Sequence, residues 1–245
     1  MRVNDGRGAA GESSAGFLVR DVWRIFAVEI IVSVLARIFL NSGLIVSDDG
    51  QVLILLAGKA ILLAYLLWLA GRRTWRPTGL LTLGRPSGWL LALLLYALAF
   101  RLIAETNEIN ECLMARLYAW FDLEFHPLPQ KAVVYILSGW LSRPVHLVML
   151  LFTILIGPFS EELAFRGMAL DAFRRPGGVV PALLLTSFLF GLFHTDASLL
   201  LPLTLLGIVF GLARLLSGSL WCGLAVHSLH NAIALMANAG WLPEF

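Results

Sequence analysis

The feature that most constrains this chain is a series of long apolar runs separated by short polar segments. Val52–Ala70 and Trp89–Ala104 each contain a single charged residue. A helix needs about 20 mostly apolar residues to cross the hydrocarbon core of a bilayer. The chain is 59% hydrophobic and 14% charged, whereas a soluble domain is about half apolar and a quarter charged. The pattern therefore predicts an all-α fold, a polytopic membrane bundle of about seven to eight transmembrane helices.

The apolar runs predict seven spans, which are roughly Ile25–Val46, Val52–Ala70, Trp89–Ala104, Val145–Phe165, Val180–Thr195, Leu200–Leu216 and Leu220–Asn238. The longest interruption between spans is Glu105–Pro144. Its apolar part, Val133–Leu141, is interpreted as an interfacial segment or an eighth span. The GxxxG of Gly207–Gly211 is interpreted as a helix-packing motif, within the chain or in a dimer.

Charge and cysteine placement exclude several function classes. Basic residues cluster in alternate loops, which predicts a cytoplasmic N-terminus and a cytoplasmic Arg174–Gly178 turn, with no basic patch for nucleic acid. Cys112 and Cys222 lie far apart and predict neither a disulfide framework nor a zinc ribbon. We expect a disordered cytoplasmic tail at 1–20, N-terminal transmembrane helices at 21–130 and a helical core at 131–245.

Two adjacent glutamates mark the start of a polar constellation in the second half of the chain. Gly157-Pro158 is interpreted as a helix restart, because proline suits the first turn of a helix. Glu162 and Arg166 are four residues apart and predict an ion pair on one helix face. Glu161 is rotated about 100° away from Glu162 and is free to face a cavity.

A histidine on the next span is predicted to lie level with the first of these glutamates. The turn Pro176–Val179 centres the helical hairpin, and Glu161 and His194 are equally distant from that centre. In an antiparallel hairpin, equal distance along two helices means equal depth. Phe190 shares a helix face with His194.

The last span adds a second polar face. His227 and Asn231 are four residues apart, and polar groups inside a membrane need partners. A carboxylate near an imidazole activates water, and His and Asn side chains donate hydrogen bonds to an oxyanion. These are the parts that non-covalent peptide hydrolysis requires. His230 faces partly away and is interpreted as a polar contact between helices.

Other charges within spans are interpreted as snorkelling side chains or structural pairs, since long stems carry charges to the interface. They are Glu29, Arg37, Lys59 and Arg101.

The three motifs together resemble those of the CPBP family, the CAAX-processing and bacteriocin-processing membrane proteases with the Abi domain. The matching segments are EELAFRG at 161–167, FGLFH at 190–194 and HSLHN at 227–231. The resemblance implies a glutamic intramembrane endopeptidase of the CAAX prenyl protease type. It implies that Glu161 is the catalytic base and that His194 helps to activate the water.

By the same resemblance, His227 and Asn231 are the oxyanion donors, whereas Glu162, Arg166 and Phe190 give structural support. We expect no cofactor, a membrane-associated protein or peptide as substrate, no nucleic-acid partner, and a multi-pass location in a bacterial-type cell membrane.

Three alternatives remain open at the level of sequence. The same Glu and His residues could bind zinc in a membrane metalloprotease, although no HExxH motif is present. Glu161 and His194 could form a proton relay in a transporter, although no paired halves are visible. A non-catalytic scaffold is the third alternative.

Overall fold

The computed structural model describes residues 18–42, 47–72, 82–126, 143–194 and 196–241. Seven helices and no strand occur in these ranges, which confirms the predicted all-α fold. We label the helices α1 (Val19–Asn41), α2 (Asp48–Arg72), α3 (Pro86–Ala119), α4 (Pro144–Gly177), α5 (Val179–Phe193), α6 (Leu200–Ser217) and α7 (Leu220–Asn238).

Five of these helices, α2, α3, α4, α6 and α7, are long and apolar enough to cross a membrane. An integral, multi-pass membrane protein is therefore confirmed. Helix α5 is a shorter apolar helix of 15 residues. The segment Val133–Leu141 lies outside the described residues, so an eighth span stays a prediction, as do the cytoplasmic N-terminus and the domain boundary at residue 130.

The predicted third span ends near Ala104, whereas helix α3 continues to Ala119. Apolarity ends near Ala104, but tertiary packing extends the helix. Asn110 is fully buried on this extension. Its side-chain amide donates to the carbonyl oxygens of Ala197 and Ser198, both at 2.8 Å. The polar extension therefore holds the short turn that leads into α6.

At the predicted helix restart, Gly157-Pro158, no new helix begins: α4 continues through both residues, and α-helical geometry resumes at Gly157 after a π-helical segment. The helix instead widens into two π-helical segments, Phe152–Ile156 and Leu163–Ala169. In an α-helix, a proline ring clashes with the carbonyl group four residues earlier. A wider turn relieves that clash, so the helix admits Pro158 without ending.

Helix α6 is central to the bundle and packs against α3, α5 and α7. Its two GxxxG glycines face α5 within the same chain. A Cβ atom on Gly207 would lie 2.9 Å from the Cα atom of Ser187, and one on Gly211 would lie 2.3 Å from a methyl group of Leu183. The motif therefore serves packing inside the chain.

The α4–α5 hairpin turns at Gly178, whose φ of 82° lies in the left-handed region that favours glycine. The two helices then return side by side, with α1, α2 and α7 packed around α4. This arrangement brings the three sequence motifs to the interior of the bundle.

Candidate active site

Two adjacent glutamates lie on α4 between its π-helical segments and have different surroundings. The Glu161 side chain is 20% exposed and lines a cavity. The Glu162 side chain is 2% exposed and points into the protein. The predicted divergence of these neighbours is therefore present in the structure.

The second glutamate forms a buried ion pair with an arginine that is enclosed by aromatic rings. Arg166 Nη1 donates to Glu162 Oε1 at 3.0 Å, and Nη2 donates to the Gly207 carbonyl oxygen at 3.0 Å. The guanidinium carbon lies 4.4 Å from the ring centre of Phe190 and 5.4 Å from that of Phe210. Hydrogen bonds and cation–π contacts thus compensate for the burial of this charge.

The α4–α5 hairpin brings His194 to the level of Glu161, as the residue spacing predicts. His194 Nε2 lies 3.9 Å from Glu161 Oε2. The other ring nitrogen, Nδ1, lies 2.8 Å from the Phe190 carbonyl oxygen. A carbonyl oxygen only accepts, so His194 Nδ1 carries the proton of that bond. In the neutral ring, the Nε2 lone pair then faces the carboxylate.

A second imidazole approaches the same carboxylate oxygen from α7. His227 Nε2 lies 3.7 Å from Glu161 Oε2, and its Nδ1 lies 3.0 Å from Glu162 Oε1. The ring also stacks on Phe210, with 4.3 Å between ring centres. Glu162 accepts from Arg166 as a carboxylate, so His227 Nδ1 is the donor toward it. Both neutral imidazoles therefore present lone pairs to Glu161.

The side chain of Asn231 has a different contact from the two histidines. Its amide donates to the Thr153 carbonyl oxygen at 2.9 Å. That oxygen needs an outside donor because the N–H of Gly157 bonds to Phe152 and Pro158 has no N–H. Asn231 thereby satisfies a carbonyl group that the widened turn of α4 exposes.

The cavity beside Glu161 and His194 has a volume of about 400 Å³ and lies between α1, α2, α4 and the end of α5. Its wall is mostly apolar, and Thr153 belongs to it. The structure thus brings Glu161, His194 and His227 together directly, and it links Asn231 to the cavity wall through Thr153.

The structure adds neighbours that sequence reasoning did not assign to the site. Phe210 on α6 contacts both Arg166 and His227, yet it belongs to none of the three motifs. A Cβ atom on Gly223 would lie 2.9 Å from Glu162 Oε2, so this glycine leaves room for the carboxylate. Its place four residues before His227, on the same helix face, is the only sequence signal for it.

Two charged residues of the N-terminal helices also line the cavity. Lys59 Nζ donates to Glu29 Oε1 at 2.6 Å, which joins α2 to α1. The structural pair expected for such intramembrane charges is present. The position of this pair in the same cavity as Glu161 was not predicted.

The polar contact expected for His230 is also present, because its Nδ1 lies 3.1 Å from the Tyr96 hydroxyl.

Comparison with known proteins supports the assignment of the helical core. Residues 143–233 match the Rce1-like family, described as type II CAAX prenyl endopeptidase Rce1-like. Neither the curated proteins nor the solved structures gave a match to the chain. The matched range runs from the start of α4 into α7 and contains all three motifs. The family resemblance is therefore confirmed over this range.

Proposed function

We propose that the chain is a glutamate-type intramembrane endopeptidase that processes the C-terminus of a membrane-associated protein or peptide of the CAAX type. The observation that carries this proposal is the approach of two imidazole Nε2 atoms to one carboxylate oxygen. His194 and His227 lie 3.9 Å and 3.7 Å from Glu161 Oε2. Glu161 and His194 also line a cavity that can receive a short peptide segment.

In the proposed reaction, a water molecule between Glu161 and His194 donates one hydrogen bond to each of them. Glu161 takes a proton as the water oxygen attacks the carbonyl carbon of the scissile bond. That proton moves on to His227 Nε2, and the carbonyl π bond becomes an oxyanion that His227 and Asn231 stabilise as donors. The proton then passes to the leaving nitrogen and the C–N bond breaks, which gives a new carboxylate and a free amine.

The remaining motif residues orient these groups in the proposal. Arg166 holds Glu162 as a carboxylate, and Glu162 fixes the His227 ring through Nδ1. Phe190 fixes His194 through its carbonyl oxygen and packs its ring on Arg166. Contacts of this kind keep the reacting groups within the narrow range of positions that catalysis needs.

The test is Glu161→Gln in the purified full chain, which keeps the size of the side chain and removes the base. We expect cleavage of a fluorogenic prenylated peptide to fall by about 10²–10⁴, the range for general-base catalysis. Glu105→Gln is the control, because that glutamate is exposed and pairs with the exposed Arg101. A Glu161→Gln protein that is folded by thermal unfolding and cleaves at the wild-type rate would exclude the glutamate mechanism.

A zinc metalloprotease built from the same residues is the second candidate. The Nδ1 bonds to the Phe190 carbonyl oxygen and to Glu162 are of the kind that orients zinc-binding histidines. Among the described residues, no group of three or more His, Cys, Asp or Glu side chains is arranged as a metal site. Zinc would therefore require Glu161 and the two histidines to close up. Metal analysis of the active protein, with cleavage assayed after chelator treatment, separates the two candidates.

A further inference from the structure

A charged pair on α1 and α2, outside the range that matches the family, lines the same cavity as Glu161. Lys59 Nζ and Glu29 Oε1 are 2.6 Å apart. The Lys59 side chain is 37% exposed, whereas that of Glu29 is 10% exposed. Both residues belong to the cavity wall. A molecule that enters the cavity therefore meets this pair.

A lysine at this place in a membrane helix is unfavourable without a partner, and Glu29 supplies one. Lys59 is the only charge in Val52–Ala70, and a charged side chain within a membrane helix is unfavourable without a functional or structural reason. Glu161 lines the same cavity, so the cation shares the space in which a peptide bond would be cleaved.

The glutamate of this pair offers an unused acceptor. Glu29 is 8% exposed, and its Oε2 atom has no hydrogen-bond partner among the described residues. A buried acceptor without a donor is unfavourable, so a ligand whose N–H group replaces the atoms that cover Oε2 gains a hydrogen bond there. The pair together presents one acceptor and one cation, side by side.

We propose that Glu29 and Lys59 bind the C-terminal residue of the peptide substrate. Lys59 pairs with the terminal carboxylate, and Glu29 Oε2 accepts from the backbone N–H of the same residue. Only the last residue of a chain carries an amide N–H and a carboxylate on one Cα atom. This inference rests on the proposed function, since it places the leaving fragment of the substrate beside Glu161.

The size of the cavity agrees with a short leaving fragment. A volume of about 400 Å³ is near the lower end of the range for ligand pockets. Apolar side chains of α1 and α2, such as Val32 and Leu62, line the space around the charged pair. The site therefore suits a short aliphatic segment with a free carboxylate, and it disfavours an internal or amidated segment.

Binding and cleavage are measured separately, so that the two proposals can fail independently. Trileucine as free acid and as C-terminal amide is the binding probe for the wild-type full chain. We expect the acid to bind about 10- to 100-fold more tightly, the range for a hydrogen bond to a charged group. The double variant Glu29→Gln/Lys59→Met removes both charges together, so that no unpaired charge stays buried. It should lose the preference for the acid.

The control replaces an exposed pair in the same way, with Arg101→Gln/Glu105→Gln. This control should keep the preference. Equal binding of acid and amide by the wild type would overturn the carboxylate site, even if Glu161-dependent cleavage is observed. A retained preference in the Glu29→Gln/Lys59→Met variant would also overturn it. Loss of Glu161-dependent cleavage with an intact acid preference would instead reject the proposed catalysis.

The kinetic signature provides the second readout. With prenylated peptides that end in a carboxylate or an amide, Glu29→Gln/Lys59→Met should raise KM for the carboxylate peptide about tenfold or more. The rise in KM for the amide peptide should be much smaller, because that peptide has no carboxylate for Lys59 to pair with. Because the pair touches the leaving fragment and not the reacting atoms, kcat should change little. A fall in kcat on both peptides with an unchanged KM would show a purely structural role and contradict the inference.

Discussion

Truncation of Arg166 is the sharpest test of how the site is supported. Arg166→Ala removes two hydrogen bonds and the cation enclosed by Phe190 and Phe210, and it leaves the Glu162 carboxylate buried. Breaking a buried ion pair from one side costs about 3–5 kcal/mol. The lost contacts with aromatic rings bring the expected destabilisation to the upper part of that range, about 5 kcal/mol.

The expected change in thermal unfolding follows from the size of the chain. For a chain of 150–250 residues, 1 kcal/mol shifts Tm by about 2–4 °C, so Arg166→Ala should lower Tm by roughly 10–20 °C. Yield of folded protein and peptide cleavage should fall with it, since His227 depends on Glu162 for its orientation. Thermal unfolding in one detergent, together with the cleavage assay, measures both effects.

A matched control lies on α3. Arg101 and Glu105 form another arginine–glutamate pair four residues apart, with side chains that are 81% and 57% exposed. Exposed pairs are worth about 0.2–1 kcal/mol, so Arg101→Ala should shift Tm by less than about 4 °C. Glu162→Ala should resemble Arg166→Ala, and the double variant should lose less than the sum of the two. Equal shifts for Arg166→Ala and Arg101→Ala, with activity intact, would refute the reasoning.

Two further predictions concern the last helix. Gly223→Ala should displace the Glu162 carboxylate, whose Oε2 would lie 2.9 Å from the new Cβ atom, and it should destabilise the protein by about 1–3 kcal/mol with reduced cleavage. Gly177→Ala is the control, because nothing lies within 4 Å of its Cβ position, and similar results for both variants would contradict the packing argument. Asn231→Ala should lower kcat by roughly 10²–10³ with little change in KM. Asn231→Asp should be active at low pH and lose activity as the carboxyl ionises, and an unchanged pH profile with full activity would remove Asn231 from the oxyanion role.

Helices were predictable because a membrane forces backbone hydrogen bonds to be made within the segment. The apolar runs therefore located the spans, but they did not locate helix ends outside the apolar region. Helix α3 continues to Ala119, and Asn110 on this extension contacts the turn before α6. That contact joins residues far apart in sequence, so no local sequence pattern predicts it.

The equal depth of Glu161 and His194 along their two helices was predictable for a geometric reason. A short turn between antiparallel helices fixes their register, so counting residues from the turn gives relative depth. The cavity contact of Lys59 was not predictable in this way. It depends on how α1 and α2 pack against α4, and those helices carry no motif that fixes their orientation.

The contact of Asn231 shows how a local backbone feature decides the partner of a motif residue. The motif predicts a polar group on the inner face of α7, and the structure has one there. Its acceptor, Thr153, is available because α4 widens ahead of Pro158. In the sequence, the same proline was interpreted as a helix start. That interpretation gives no reason to expect an exposed carbonyl group opposite Asn231.

The hydrogen bonds of the two histidines also limit how the proposed reaction uses its proton. His194 and His227 each donate through Nδ1, so neither neutral ring has an N–H on the side that faces Glu161. An oxyanion donor at His227 therefore requires a proton on Nε2, and attack by the water releases one at the Glu161 oxygen 3.7 Å away. In the proposed mechanism, the proton that Glu161 removes from the water thus also makes His227 a donor to the oxyanion. Glu162 Oε1 lies 3.0 Å from Nδ1 of the same ring, so in this mechanism the second buried carboxylate orients the ring that carries the proton.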